Sequence, residues 1–183
     1  MNEHDTLEKI NADIRKCKLC SLSDTRKNTV PGEGKFLKKL MIIGEAPGYH
    51  EDQSGRPFIG AAGKILRNTL AKNQINIEDV FITNIVKCRP PNNRPPQINE
   101  KKICLHYLDR QIVLLKPKII CLLGNVASSY ILNLNSITNK RGKVIHKDGL
   151  KYFITYHPAA TIYNRNLLNT FELDIKKLAE YVS

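Results

Sequence analysis

Four short apolar runs recur along the chain, at Leu40–Ile43, Val80–Val86, Lys118–Leu123 and Tyr152–Thr155, and each reads as a buried strand. Between and after them, apolar positions return with helical spacing. Ile65, Leu66, Thr69 and Leu70 share one face; Ile103, Tyr107, Leu108, Ile112 and Leu115 share another. Leu168, Phe171, Ile175, Leu178 and Val182 form a third, opposite a lysine-rich side. Near-continuous apolar strands alternating with amphipathic helices predict an α/β fold of three layers, α/β/α. Its central sheet is expected to hold about four mostly parallel strands, with helices on both faces. Val144–Lys147 is a candidate extra strand, forming a hairpin with Tyr152–Thr155 around Asp148-Gly149. Arg89–Gln97 contains four prolines and reads as a stiff loop rather than a linker. No internal repeat appears, so residues 1–183 are expected to form a single domain.

This layout has a functional consequence, because open α/β sheets bind ligands beyond the carboxyl ends of their strands. The first run is followed by Gly44-Glu45-Ala46-Pro47-Gly48, and the second contains Asn84 near its end. Gly124-Asn125 follows the third, and Tyr156-His157-Pro158 the fourth. Glu45, Asn84, Asn125 and His157 are therefore expected on one rim. Each alone has a plain account: a strand end for Asn84, a helix cap for Asn125, a helix entry for His157. Four polar residues at four strand ends favour a pocket.

Charge adds a partner. The 42% hydrophobic and 25% charged composition is that of a soluble globular protein. No apolar run approaches the ~20 residues of a membrane span, and Met1–Ile14 lacks the apolar block of a signal peptide. Membrane and secreted proteins are thereby excluded, and a cytoplasmic, nucleoid-associated location is expected. The 29 Lys+Arg against 17 Asp+Glu give a net charge of +12, which points to a polyanion. Residues 84–118 are the densest part, with eight basic side chains against two acidic. Residues 41–83 are the one segment that is not basic, and Glu45, Glu51 and Asp52 crowd a Gly/Pro turn there. That turn is either a solvated acidic loop or a place for acid–base chemistry.

Five cysteines in a chain without a secretory signal favour metal or redox use over disulfides. Cys17 and Cys20 form a CxxC, Cys88 opens the proline loop, and Cys104 lies sixteen positions further on in a helical pattern. Cys121 sits inside a strand, where a small apolar side chain is wanted. Four thiolates satisfy zinc or an iron–sulfur cluster, and the spacing leaves the metal open. Widely separated single ligands suit the larger cluster better.

Three blocks then stand out: Gly44-Glu45-Ala46-Pro47-Gly48 with Glu51-Asp52, Gly55-Arg56-Pro57-Phe58-Ile59-Gly60 and Ala62-Gly63; Thr83-Asn84-Ile85-Val86-Lys87-Cys88-Arg89-Pro90-Pro91 with Asn92 and Arg94; and Tyr156-His157-Pro158-Ala159-Ala160. With the four cysteines, in this order and spacing, the chain resembles a family-four uracil-DNA glycosylase of the archaeal kind. The resemblance implies a monomeric base-excision repair hydrolase that flips uracil out of single- or double-stranded DNA. It implies that Gly44 and Ala46 border the base, that Phe58 stacks on it, and that Asn84 reads N3–H and O4. His157 would donate to O2, with Glu45, or second Glu51, positioning water. In the better-known branch of the superfamily an aspartate stands where this chain has Ala46. Of the loop after HPAA, Ile162 or Tyr163 would be the wedge and Arg165 a phosphate contact. Lys87, Arg89 and Arg94, and the Gly124-Asn125 turn, would face DNA. Cys17, Cys20, Cys88 and Cys104 would hold a structural 4Fe-4S cluster, with zinc the lesser alternative. No replication-clamp partner is read from the chain. A sister enzyme for hypoxanthine or xanthine, and a non-catalytic iron–sulfur DNA-binding module, are the competing readings.

Overall fold

The computed structural model describes residues 5–182, so Met1–His4, the start of the Met1–Ile14 stretch, lie outside the described residues, as does Ser183. All four expected strands are present, as β1 (Leu40–Gly44), β2 (Phe81–Asn84), β3 (Ile119–Leu123) and β5 (Leu150–Thr155). The candidate hairpin strand is real and becomes β4 (Val144–Lys147), giving a five-stranded sheet in the order β2-β1-β3-β5-β4. β1, β2, β3 and β5 run parallel, and β4 pairs antiparallel with β5 at one edge. The second strand stops at Asn84, short of the apolar run. Ile85 and Val86 donate instead to the carbonyls of Gly44 and Glu45, where the chain has left the pleat.

Side chains alternate across the sheet with period two, and this builds two cores. Met41 and Ile43 of β1, with Ile120 and Leu122 of β3, face α1 (Leu7–Lys16) and α5 (Ile98–Leu115) through Ile10, Ile14, Tyr107 and Leu108. Leu40, Ile42, Cys121 and Phe153 face α4 (Ala61–Lys72) and α8 (Asn166–Ala179) through Leu66, Leu70, Phe171 and Ile175. Cys121 is the small core residue its surroundings suggested. The short helices α2 (Leu22–Thr25), α3 (Tyr49–Ser54), α6 (Gly124–Leu132) and α7 (Pro158–Tyr163) complete the layers. No helix among the described residues is long and apolar enough to cross a membrane.

Two ionic staples fix the elements that carry chemistry. Arg110 of α5 binds Asp5 at 2.7 Å and Asp13 of α1 at 2.8 Å, locking the helix that leads into Cys17. Asp174 of α8 is fully buried and accepts from Thr155 Oγ1 and from the Arg141 guanidinium, fixing the end of β5 two residues before His157. The register then sets Gly44 beside Asn84 and Leu123 beside Thr155, so the strands end level.

Candidate active site and cysteine cage

Where the strands end, a cavity of about 320 Å³ opens, at the lower end of the ~300–1,000 Å³ usual for small-molecule sites. Glu45, Ala46, Glu51, Phe58, Asn84 and His157 all line it, and the proline loop closes one side with Pro90, Asn93 and Arg94.

Beside it, Gly44 packs closely against Asn84 and Phe58. A Cβ at position 44 would stand 2.6 Å from Phe58 Cζ and would press on Asn84 Oδ1, so glycine keeps this gap open. Asn84 is 1% exposed, and its Oδ1 has no hydrogen-bond partner. Buried carbonyl oxygens are seldom left this way, because the lost hydration costs about 1–3 kcal/mol. Phe58 has a left-handed backbone, φ 51°, which a bulky side chain adopts only under constraint. The constraint comes from two neighbours. Gly63 of α4 packs against the Phe58 carbonyl so closely that any Cβ would overlap it. Glu51 reaches across the loop and accepts from Ile59 N and Gly60 N at 2.9 Å each, and from Gly48 N at 3.1 Å.

The two carboxylates of the turn thus differ. Glu51 is a strut whose oxygens serve three backbone amides. Glu45 is half-buried, and among the described residues no hydrogen bond fixes its side chain. Burial raises its pKa above the ordinary carboxylate value, and Lys101 opposes this.

His157 caps α7, and its Nδ1 accepts from Ala159 N at 3.2 Å. Burial lowers its pKa to about 4, against the pull of Glu51. At neutral pH the ring is therefore uncharged, and with Nδ1 accepting, the proton sits on Nε2. The ring lies 5.7 Å from that of Phe58. Gly124, at φ +88°, lets the β3–α6 turn approach it, since a Cβ there would fall 2.9 Å from His157 Cβ.

Three expected site residues lie elsewhere or play another part. Asn125 does not join the rim: it is exposed, and its Oδ1 accepts from Ile137 N at 3.0 Å, tying down a loop. Lys87 cannot face DNA, because it is 1% exposed and its ammonium is enclosed by protein. Arg94 lines the cavity but is clamped to buried Glu100 by two bonds, at 2.9 and 2.6 Å. Arg89 stands over the Tyr49 ring at 5.1 Å and donates to Asn93 Oδ1 at 2.8 Å. Tyr163 lines the cavity mouth while 90% exposed; Ile162 and Arg165 beside it are also exposed. Gly63, part of the Ala62-Gly63 pair in the first block, is where the structure puts its closest approach to Phe58; Asn93 had no distinguishing signal in the sequence.

On the other side of the proline loop, Cys17, Cys20, Cys88 and Cys104 line a single second cavity, together with Leu19, Arg26 and Tyr107. Arg26 Nη1 donates to Cys88 Sγ and Lys87 N to Cys104 Sγ, both at 3.2 Å. Burial pushes the Cys88 thiol up to about 12 and raises Cys104 as well. Among the described residues no three His, Cys, Asp or Glu side chains form a group that could hold a metal ion.

Fold and site together define an α/β protein with a cavity at its strand ends lined by Glu45, Glu51, Phe58, Asn84 and His157. The chain belongs to the uracil DNA glycosylase superfamily, whose family model matches residues 31–179. It is 48% identical to the Type-4 uracil-DNA glycosylase of Sulfurisphaera tokodaii, over 96% of this chain and 84% of that protein. Identity to the Type-4 enzyme of Saccharolobus solfataricus is 45%, over 98% and 88% of the two chains. For that of Archaeoglobus fulgidus it is 41%, over 96% and 93%.

Proposed function

We propose that the protein excises uracil from DNA by hydrolysing its N-glycosidic bond, leaving an abasic site for base-excision repair. The observation that carries this reading is the unpartnered Asn84 Oδ1 beside the gap at Gly44. A uracil entering that gap offers its N3–H to this oxygen and its O4 to the amide nitrogen. Cytosine carries no hydrogen at N3 and a donor where uracil has O4, so the same amide rejects it. The base must leave the helix to arrive there, and Phe58 gives it a ring to stack on.

Bond cleavage places negative charge on the departing uracil and positive charge on the sugar. His157, neutral with its proton on Nε2, donates to O2 and stabilises the developing anion without having to lose a charge first. Glu45 has oxygens free for a water molecule and a negative charge for the oxocarbenium-like sugar. Glu51 serves as the loop's strut, and Ala46 supplies no group for water activation. Tyr163 with Ile162 fits the wedge that holds the duplex open, and Arg165 and Arg89 fit phosphate contacts. Arg94 and Asn125 shape the surface through Glu100 and Ile137.

The cysteine cage fits a 4Fe-4S cluster held by Cys17, Cys20, Cys88 and Cys104. Two N–H donors aimed at sulfur suit thiolates, and the four cysteines line one cavity. A hydrolysis needs no electron from such a cluster; held by Cys17, Cys20, Cys88 and Cys104, it would tie α1 to the proline loop.

The test incubates the purified protein with duplexes carrying one uracil, one hypoxanthine or no lesion, followed by alkali. Strand scission at uracil alone is expected, from a brown protein containing about four irons per chain. Scission at hypoxanthine alone transfers the reading to a sister enzyme, and DNA binding without scission refutes it. Full activity in a colourless zinc protein refutes the cluster.

A further inference from the structure

Lys87 stands between the two cavities, one residue before Cys88 and three after Asn84, and it is almost wholly buried. Among the described residues its ammonium meets no carboxylate. Nζ donates to Thr83 Oγ1 at 2.6 Å, to the main-chain oxygen of Asn84 at 2.8 Å and to Gln111 Oε1 at 2.8 Å. Packing alone would be served better by an apolar side chain, since a buried cation is costly to hold; its hydrogen-bond partners are neutral, and only the nearby sulfurs of Cys88 and Cys104 favour its charge.

The partners show where the restraint goes. Thr83 Oγ1 and Gln111 Nε2 both donate to the carbonyl of Pro31, at 2.9 Å each, so two of the three acceptors are anchored to the strap before β1. The third is the carbonyl of Asn84, the last residue of β2. The ammonium thereby ties the end of that strand to a fixed network on the side away from the cavity, while the Asn84 amide lies on the cavity side.

We propose that Lys87 is a positioning residue for uracil recognition, holding the main chain of Asn84 so that its amide stays aligned with the flipped base. This rests on the reading of Asn84 given above. It makes the second block of the sequence one device, in which a buried lysine behind the strand end steadies the amide in front of it.

The test compares Lys87→Met, Asn84→Ala and the double variant in single-turnover excision from a uracil duplex. Binding to a duplex carrying 2′-fluoro-2′-deoxyuridine, against the same duplex with thymidine, is measured alongside. Lys87→Met should lose about tenfold or more in kcat, with little change in KM for the duplex. Its preference for the fluorinated uridine should fall in step. The double variant should lie within about twofold of Asn84→Ala, because removing the amide leaves the lysine nothing to position. Wild-type kcat and preference in Lys87→Met, or losses that multiply in the double variant, overturn the proposal. Should Lys87→Met fail to fold, Thr83→Val removes one partner of Nζ within the folded chain. A smaller loss that disappears in the Asn84→Ala background is then expected, and an unchanged or multiplicative result overturns it. A wild-type protein that releases no uracil defeats the functional reading and this inference together. An active wild type beside an indifferent Lys87→Met defeats this inference alone.

Discussion

Replacing Asn84 with alanine should lower activity and leave stability intact, an opposition that separates a substrate-reading residue from a structural one. In the free protein, Oδ1 is buried with no partner, so truncation removes an unsatisfied group worth about 1–3 kcal/mol of penalty. The void left behind costs a similar amount through lost contacts, about 1–2 kcal/mol for so small a deletion. Folding stability should therefore change little, and at about 2–4 °C per kcal/mol for a chain of this size Tm should stay within a few degrees. The flipped uracil loses two hydrogen bonds, at N3–H and O4. At about 1–2 kcal/mol each, kcat/KM falls by about 30- to 1,000-fold. The assay is single-turnover release of uracil from a duplex, paired with a thermal melt on the same preparation. An Asn84→Ala protein with wild-type kcat/KM would refute the assignment. So would one whose activity loss is matched by a Tm drop of ten degrees or more, since the side chain would then be part of the scaffold.

Glu45→Gln should reduce kcat strongly with little effect on Tm, whereas Glu51→Gln should lower Tm and the order of the Phe58 loop, because one of its acceptor oxygens becomes a donor facing an amide; thermal melts beside single-turnover rates separate the two. Gly63→Ala places a methyl group into the Phe58 carbonyl, and a loss of about 1–3 kcal/mol is expected, read as a melting shift together with weaker uracil release. The pH profile of kcat/KM should show no step near 6.5, because His157 stays neutral down to about 4; its acid limb should instead follow Glu45, whose protonation begins above the usual carboxylate range. The same depression makes His157 a stability term: it is fully present above about 6.5, and it is lost as pH falls through about 4, because the unfolded chain takes up the proton first. Urea midpoints of wild type and His157→Leu should converge or cross over that interval, and parallel curves would contradict it.

The sheet was legible because its signals are local. Leu40–Ile43 and Ile119–Leu123 are apolar on both faces, which only a strand covered by helices tolerates. The strand-end rule brought Glu45, Asn84 and His157 together for the same reason, since position along a strand fixes where its last residue points. Partners were not legible. Lys87, in a run of basic residues, looks like a surface cation, and only the acceptors Thr83, Asn84 and Gln111, the last from a helix twenty-four positions away, show it to be internal. Asn125 follows a strand like the others, yet Ile137 lies close enough to claim its side chain. Glu45 and Glu51 are alike in sequence terms, and three backbone amides tell them apart.

That difference bears on how a basic protein uses the carboxylates of its one segment without excess positive charge. DNA binding draws on Lys and Arg at the surface and weakens steeply with salt, but a cationic pocket would hold the leaving uracil anion and repel the positive sugar. The acidic turn resolves the conflict by giving each carboxylate a separate task. Glu51, bound to three amides, fixes the loop that presents Phe58 and sits near enough to His157 to pull its pKa upward, though burial prevails and the ring stays neutral. Glu45, with no bond to satisfy, keeps its negative charge available at the sugar. In the proposed roles, a neutral donor at O2, a negative charge at the sugar and an amide edge for N3–H and O4 would together favour the separated charges of the transition state over the bound nucleotide, which is the difference that would accelerate the reaction.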